Sequence, residues 1–112
     1  MDERRFGAEV TEIPDEVRMR LSGDLNARAD ETLAAAYERV TELGPRRVSL
    51  DFSRVGYINS TGIALVVRLL AEARRDGRAV RALGLTEHYR EIFRITRLSD
   101  FMTILDDEGD ET

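Results

Sequence analysis

Between residues 46 and 83 the apolar residues change their spacing twice, and few folds accommodate that change. In RRVSLDF (46–52), Val48, Leu50 and Phe52 alternate with Ser49 and Asp51, the period of two that marks a strand with unlike faces. GIALVVRLLAEARR (62–75) shifts to helical spacing, and Asp76 with Gly77 supplies a C-terminal stop. AVRAL (79–83) then reads as a short strand. Strand, helix and strand in succession imply parallel neighbours joined by a helical crossover.

The flanking segments extend the same pattern. AEVTEI (8–13) and VRMRL (17–21) lie either side of Pro14 and Asp15, and in the second Val17, Met19 and Leu21 alternate with Arg18 and Arg20. LAAAYERVTEL (33–43) places Leu33, Tyr37 and Val40 on one helical stripe, with Asp30 as the expected N-cap and Gly44 and Pro45 as the stop. Thr86 caps a helix containing Tyr89, Ile92, Phe93 and Ile95, and FMTIL (101–105) closes as a last strand or a short helix. Strands buried on both faces read as continuous apolar runs, whereas these alternate. The expected fold is therefore a two-layer α/β sandwich: a mixed, mostly parallel sheet with helices on one face.

The 112 residues suit a single domain that buries roughly 65% of its unfolded surface. A formal net charge of −5 argues against nucleic acid as a partner. Five acids in the last seven residues, DDEGDET (106–112), repel one another, so that run is expected to be a disordered tail to a domain spanning 1–105. The absence of cysteine removes disulfides, thiolate metal sites and a cysteine nucleophile. No apolar run approaches the ~20 residues of a membrane span, and MDERRFGAEV has charge where a signal peptide is apolar. The expectation is a soluble cytoplasmic protein.

The stretch YINSTGIAL (57–65) crowds Asn59, Ser60, Thr61 and Gly62 at one strand-to-helix turn. One of the three polar residues is explained as an N-cap, and glycine is expected to permit the tight turn. Catalytic readings fail on missing parts. All seventeen basic residues are arginine, so neither a phosphate-binding P-loop nor a phosphorylated receiver centred on Asp51 has its lysine. A nucleophile elbow requires glycine where Ile58 stands. The only histidine, His88, lies beside Glu87 and Arg90 and reads as solvated rather than as a base for Ser60. What remains is a hydroxyl at a helix N-terminus. A phosphate there would bring about −1.5 to −2 charges, which the helix dipole tolerates. It would change what the surface binds and leave the fold intact.

LSGDLNARA, RRVSLDFSRVGYINSTGIALVVRLLAEARRDGR and GLTEHYREIFRITRLSDF resemble a STAS domain, and more narrowly the bacterial anti-sigma factor antagonists. The resemblance covers roughly residues 8 to 105, and D-F-S-x-V followed by the S-T-G turn is its most specific part. It implies a STAS-like sandwich, no enzymatic activity and no cofactor. It also implies a partner switch. The unmodified antagonist binds an anti-sigma factor that is a serine kinase, which frees a sigma factor; phosphorylation breaks the complex and a phosphatase restores it. Carried onto this chain, the acceptor is Ser60, and Asp24, Asn26, Tyr57, Asn59, Thr61, Gly62 and Ile63 join it as partner contacts. The family's residue before the serine is usually aspartate, and here it is Asn59, nearly isosteric but neutral. An unphosphorylated STAS scaffold or regulatory subunit, stressosome-like or transporter-associated, is the alternative implied.

Overall fold

The computed structural model describes residues 4–105, so the expected tail lies outside the described residues. Strands β1 (Gly7–Ile13) and β2 (Glu16–Leu25) form a hairpin across Pro14 and Asp15. Then follow α1 (Asp30–Leu43), β3 (Arg47–Ile58), α2 (Ser60–Arg75), β4 (Ala79–Leu83), α3 (Glu87–Ile95) and β5 (Thr103–Ile104). The five strands lie in the order β1-β2-β3-β4-β5, antiparallel in the first pair and parallel in the other three. This is the expected mixed, mostly parallel sheet.

Alternation decides which face is dry. Register sets Val17 beside Val48 beside Val80, and Met19 beside Leu50 beside Ala82, and all six are buried. The core adds Leu33, Tyr37 and Val40 of α1, Leu65, Val66, Leu69 and Leu70 of α2, and Phe93 of α3. Phe93 sits edge-on to Phe52 of β3, ring centroids 5.7 Å apart at 89°, a favoured aromatic geometry. All three helices therefore cover one face of the sheet.

The opposite face carries the other half of the alternation. Glu16 is 7% exposed and Ser49 fully buried, although no helix among the described residues covers them. Ser49 Oγ donates to Glu16 Oε2 at 3.0 Å and accepts from Arg18 Nε at 3.2 Å, while Arg81 donates to Glu16 Oε1 at 3.1 Å. The long stems of the arginines bonded to Glu16 and Ser49 shield these polar atoms from water. Sequence alternation identifies this face as polar but cannot show that it is a network.

Two of the expected boundaries, at the end of β3 and the start of α1, differ in the structure. β3 continues past Phe52 to Ile58, because register shifts against β2 between Arg20 and Ser22, and again between Gly23 and Asp24, interrupt the alternation without ending the pairing. Asp51 is consequently within a strand rather than at its end; it caps the Ser53 amide at 2.9 Å and lies 3.8 Å from Arg20. Asp30 is not the N-cap of α1. A 3-10 turn, Ala27–Ala29, runs directly into that helix, leaving Ala29 at the cap and Asp30 in the first turn, paired with Arg68 of α2.

At the end of the molecule where α1 and α2 terminate, the Tyr37 hydroxyl donates to Asp76 Oδ2 at 2.8 Å and accepts from Arg78 Nη1 at 3.0 Å. Burial, reinforced by the bond to Asp76, pushes the phenol pKa above its ordinary 10.0 despite Arg78. Replacing Tyr37 by phenylalanine is expected to cost roughly 1–2 kcal/mol, since Arg78 keeps Asp76 but loses the hydroxyl. A raised folded pKa means the native state holds this proton longer than the unfolded chain. The wild-type advantage over Tyr37→Phe is thus full below about pH 10 and shrinks as pH rises through the folded pKa. Urea unfolding of both proteins across that range measures the difference.

Candidate functional site

The C-terminal ends of the adjacent parallel strands β2 and β3 bring most of the expected site residues together. Register sets Asp24 beside Tyr57 and Leu25 beside Ile58. Each strand then turns through an asparagine. Asn26 Oδ1 accepts from the Arg28 amide at 2.9 Å, and Asn59 Oδ1 accepts from the Gly62 amide at 2.8 Å. Asn59 is therefore the N-cap of α2, and the first intrahelical bond runs from Ile63 N to Asn59 O at 3.0 Å. Asparagine and aspartate cap almost equally well. Asn59→Ala is expected to cost about 1 kcal/mol and Asn59→Asp to change stability by only a few tenths. Equal losses in both by urea unfolding would show that the cap oxygen is not what matters.

The two turns are bolted together through one carbonyl. The Asn59 amide donates to Leu25 O at 3.2 Å, and a Cβ on Gly62 would lie 2.0 Å from that same oxygen. Gly62 is buried inside α2 and is not among the residues with positive φ. Its expected role in permitting the turn is corrected: it lets the helix start touch the β2 backbone. Tyr89 of α3 completes the support, its hydroxyl accepting from the Ile58 amide at 3.0 Å.

Around this frame the expected contacts separate into exposed and engaged groups. Ser60 and Thr61 are exposed as the first two residues of α2, and Tyr57 is 52% exposed. Ile63 is half-buried against the core, while Ala64 and Val67 continue the exposed side of α2. Asp24 is held by the N-terminal segment, accepting from Arg4 N at 3.1 Å and donating its own amide to Arg4 O at 3.0 Å. His88 is exposed on α3 with its ring against Tyr89, and Asp51 lies on the helix-free face of the sheet. Arg4, Leu25 and Tyr89 carry no signal of these roles in the sequence. Only Gly23 hints at the N-terminal strap, since a Cβ there would lie 2.2 Å from Arg5 O.

Among the described residues no group of acidic or histidine side chains could hold a metal ion, and no helix is long and apolar enough to cross a membrane. The arrangement instead presents an exposed hydroxyl on rigid backbone. The Ser60 and Thr61 amides precede the first intrahelical bond, so they and the helix dipole favour negative charge there.

Comparison with known proteins agrees with this geometry. Residues 9–106 match the family described as Mlab, STAS domain. The chain is 33% identical over 84 residues to BtrV of Bordetella bronchiseptica, provisionally named an anti-sigma factor antagonist, covering 75% of this chain and 70% of BtrV. It is 26% identical over 93 residues to the anti-sigma-B factor antagonist of Staphylococcus aureus, covering 83% and 84% of the two chains. Its fold is similar to that of an anti-sigma factor antagonist from Mycobacterium paratuberculosis, with a TM-score of 0.79 at 15% identity over 95% and 90% of the two chains. With Ser60 displayed at the turn and the family match spanning nearly all of the sheet and helices, the chain belongs to the STAS domain family, among the regulatory, non-enzymatic anti-sigma factor antagonists.

Proposed function

We propose that this protein works as a cytoplasmic partner switch: unmodified, it binds an anti-sigma factor serine kinase and so releases a sigma factor. Phosphorylation of Ser60 dissociates the complex, and a phosphatase acting on Ser60 restores it. The domain doing this is residues 1–105, and its contacts are Ser60 with Asp24, Asn26, Tyr57, Asn59, Thr61, Gly62 and Ile63. The observation that carries the reading is a division of labour at the turn. Asn59, Leu25 and Gly62 hold the backbone, so the exposed Ser60 side chain is free to change without disturbing the fold.

The test is intact mass after incubation with the anti-sigma kinase and MgATP, beside Ser60→Ala. A single phosphate that disappears in the variant is expected. No phosphate, from a kinase shown active on another antagonist, would instead support an unphosphorylated scaffold, the reading that the neutral Asn59 favours.

A further inference from the structure

The helix-free face of the sheet carries more guanidinium than carboxylate. Arg18, Arg47 and Arg81 gather around Glu16 at 3.7, 3.9 and 3.1 Å, and Arg20 lies 3.8 Å from Asp51. Arg54 is the register partner of Ser22, and Glu9 that of Arg20. Among the described residues, five arginines therefore share this face with four carboxylates, Asp24 continuing the alternation of Arg18, Arg20 and Ser22, in a chain whose formal net charge is −5. The acceptors are already shared: Glu16 Oε2 takes the Ser49 hydroxyl and Oε1 takes Arg81. Arg81 Nε is buried without a hydrogen-bond partner among the described residues. Arg20 and Arg47 remain 42% and 46% exposed, open to a further anion from solvent.

We propose that this arginine face is the docking surface for the acidic run of the same chain, Asp106, Asp107, Glu108, Asp110 and Glu111. The described chain ends at Leu105, whose amide donates to Ala82 O at 2.8 Å, beside the strand that pairs Thr103 with Arg81. Crossing from β5 to β2 takes three strand spacings, about 14 Å, whereas seven extended residues reach about 23 Å. The run can therefore reach every arginine on the face. Exposed ion pairs are individually weak and screened by salt, so the association is one of exchange rather than a lock. Because β3 and β5 are both parallel to β4, the described chain ends, at Leu105, on the side of the sheet that displays Ser60. Docking would draw five negative charges away from that end. Its bearing on Ser60 rests on the function proposed above; the docking itself does not.

The full chain has no cysteine, so Thr112→Cys accepts a single nitroxide label while keeping all five acids. Paramagnetic broadening of backbone amides is compared at about 20 mM and about 0.5 M salt, where the screening length falls to roughly 4 Å. The expected result is signal loss at Arg18, Arg20, Ser49 and Arg81 that recovers at high salt. It should also vanish when the five acids are replaced by their amides, a change that spares the arginine network, and weaken in Arg20→Gln. Broadening confined to the surroundings of Leu105 and insensitive to salt would overturn the proposal. So would broadening that persists between isotope-labelled and spin-labelled copies mixed together, which would make a second copy the occupant.

Discussion

Replacing Gly62 by alanine is expected to destabilise the protein by about 3 kcal/mol or more, a large loss for one methyl group. The added Cβ would fall 2.0 Å from the Leu25 carbonyl oxygen and 2.8 Å from its carbon. Both are backbone atoms of a central strand, so no rotamer change relieves the contact. α2 would have to retreat from β2, taking with it the Asn59–Leu25 hydrogen bond and the packing of Leu65 and Val66. Gly44 is the informative contrast: its φ is +65°, but a Cβ there would meet nothing within 4 Å. Gly44→Ala is therefore expected to lose only about 1 kcal/mol, the ordinary penalty for a left-handed residue. Urea denaturation of both variants separates the two causes. Equal small losses would mean that the helix start yields easily and that Gly62 serves only the local conformation.

The second large effect concerns binding. If the protein works as the partner switch proposed above, Ser60→Asp weakens affinity for the anti-sigma kinase by at least about 30-fold. Leaving one unpaired charge in a desolvated interface costs about 2–5 kcal/mol, and each 1.4 kcal/mol is tenfold. The same variant should melt within a few degrees of wild type, because the helix N-terminus favours the added charge. Ser60→Ala should bind as tightly as wild type, since it adds no charge. Isothermal titration with the kinase, beside thermal melts of all three proteins, reads both quantities. Affinity of Ser60→Asp within about threefold of wild type would remove the electrostatic basis of the switch.

Much of this architecture is legible in the chain's local chemistry. Thr86 capping α3, Gly44 closing α1 and the bounds of β4 each follow from a few neighbouring residues. The last stretch of β3, beyond Phe52, is not legible in this way, because the bulged register against β2 hides the period of two. The start of α1 is obscured for a related reason: Asn26 caps a 3-10 turn that merges with the helix, so the cap stands several residues earlier than a helix pattern suggests. On α2 the apolar residues fill more than one stripe. Leu65 with Leu69 and Val66 with Leu70 are all buried, leaving Ala64 and Val67 outside.

By itself, then, the sequence determined the order of elements as far as α3, the sidedness of the sheet and the hydroxyl at a helix start, because periodicity and capping are local properties of the chain. Only the tertiary structure decided why Gly62 must be glycine, what holds Asp24, and how Glu16 is buried among arginines. Each of those depends on backbone or charge brought from a distant segment, and no spacing of neighbouring residues encodes such a meeting.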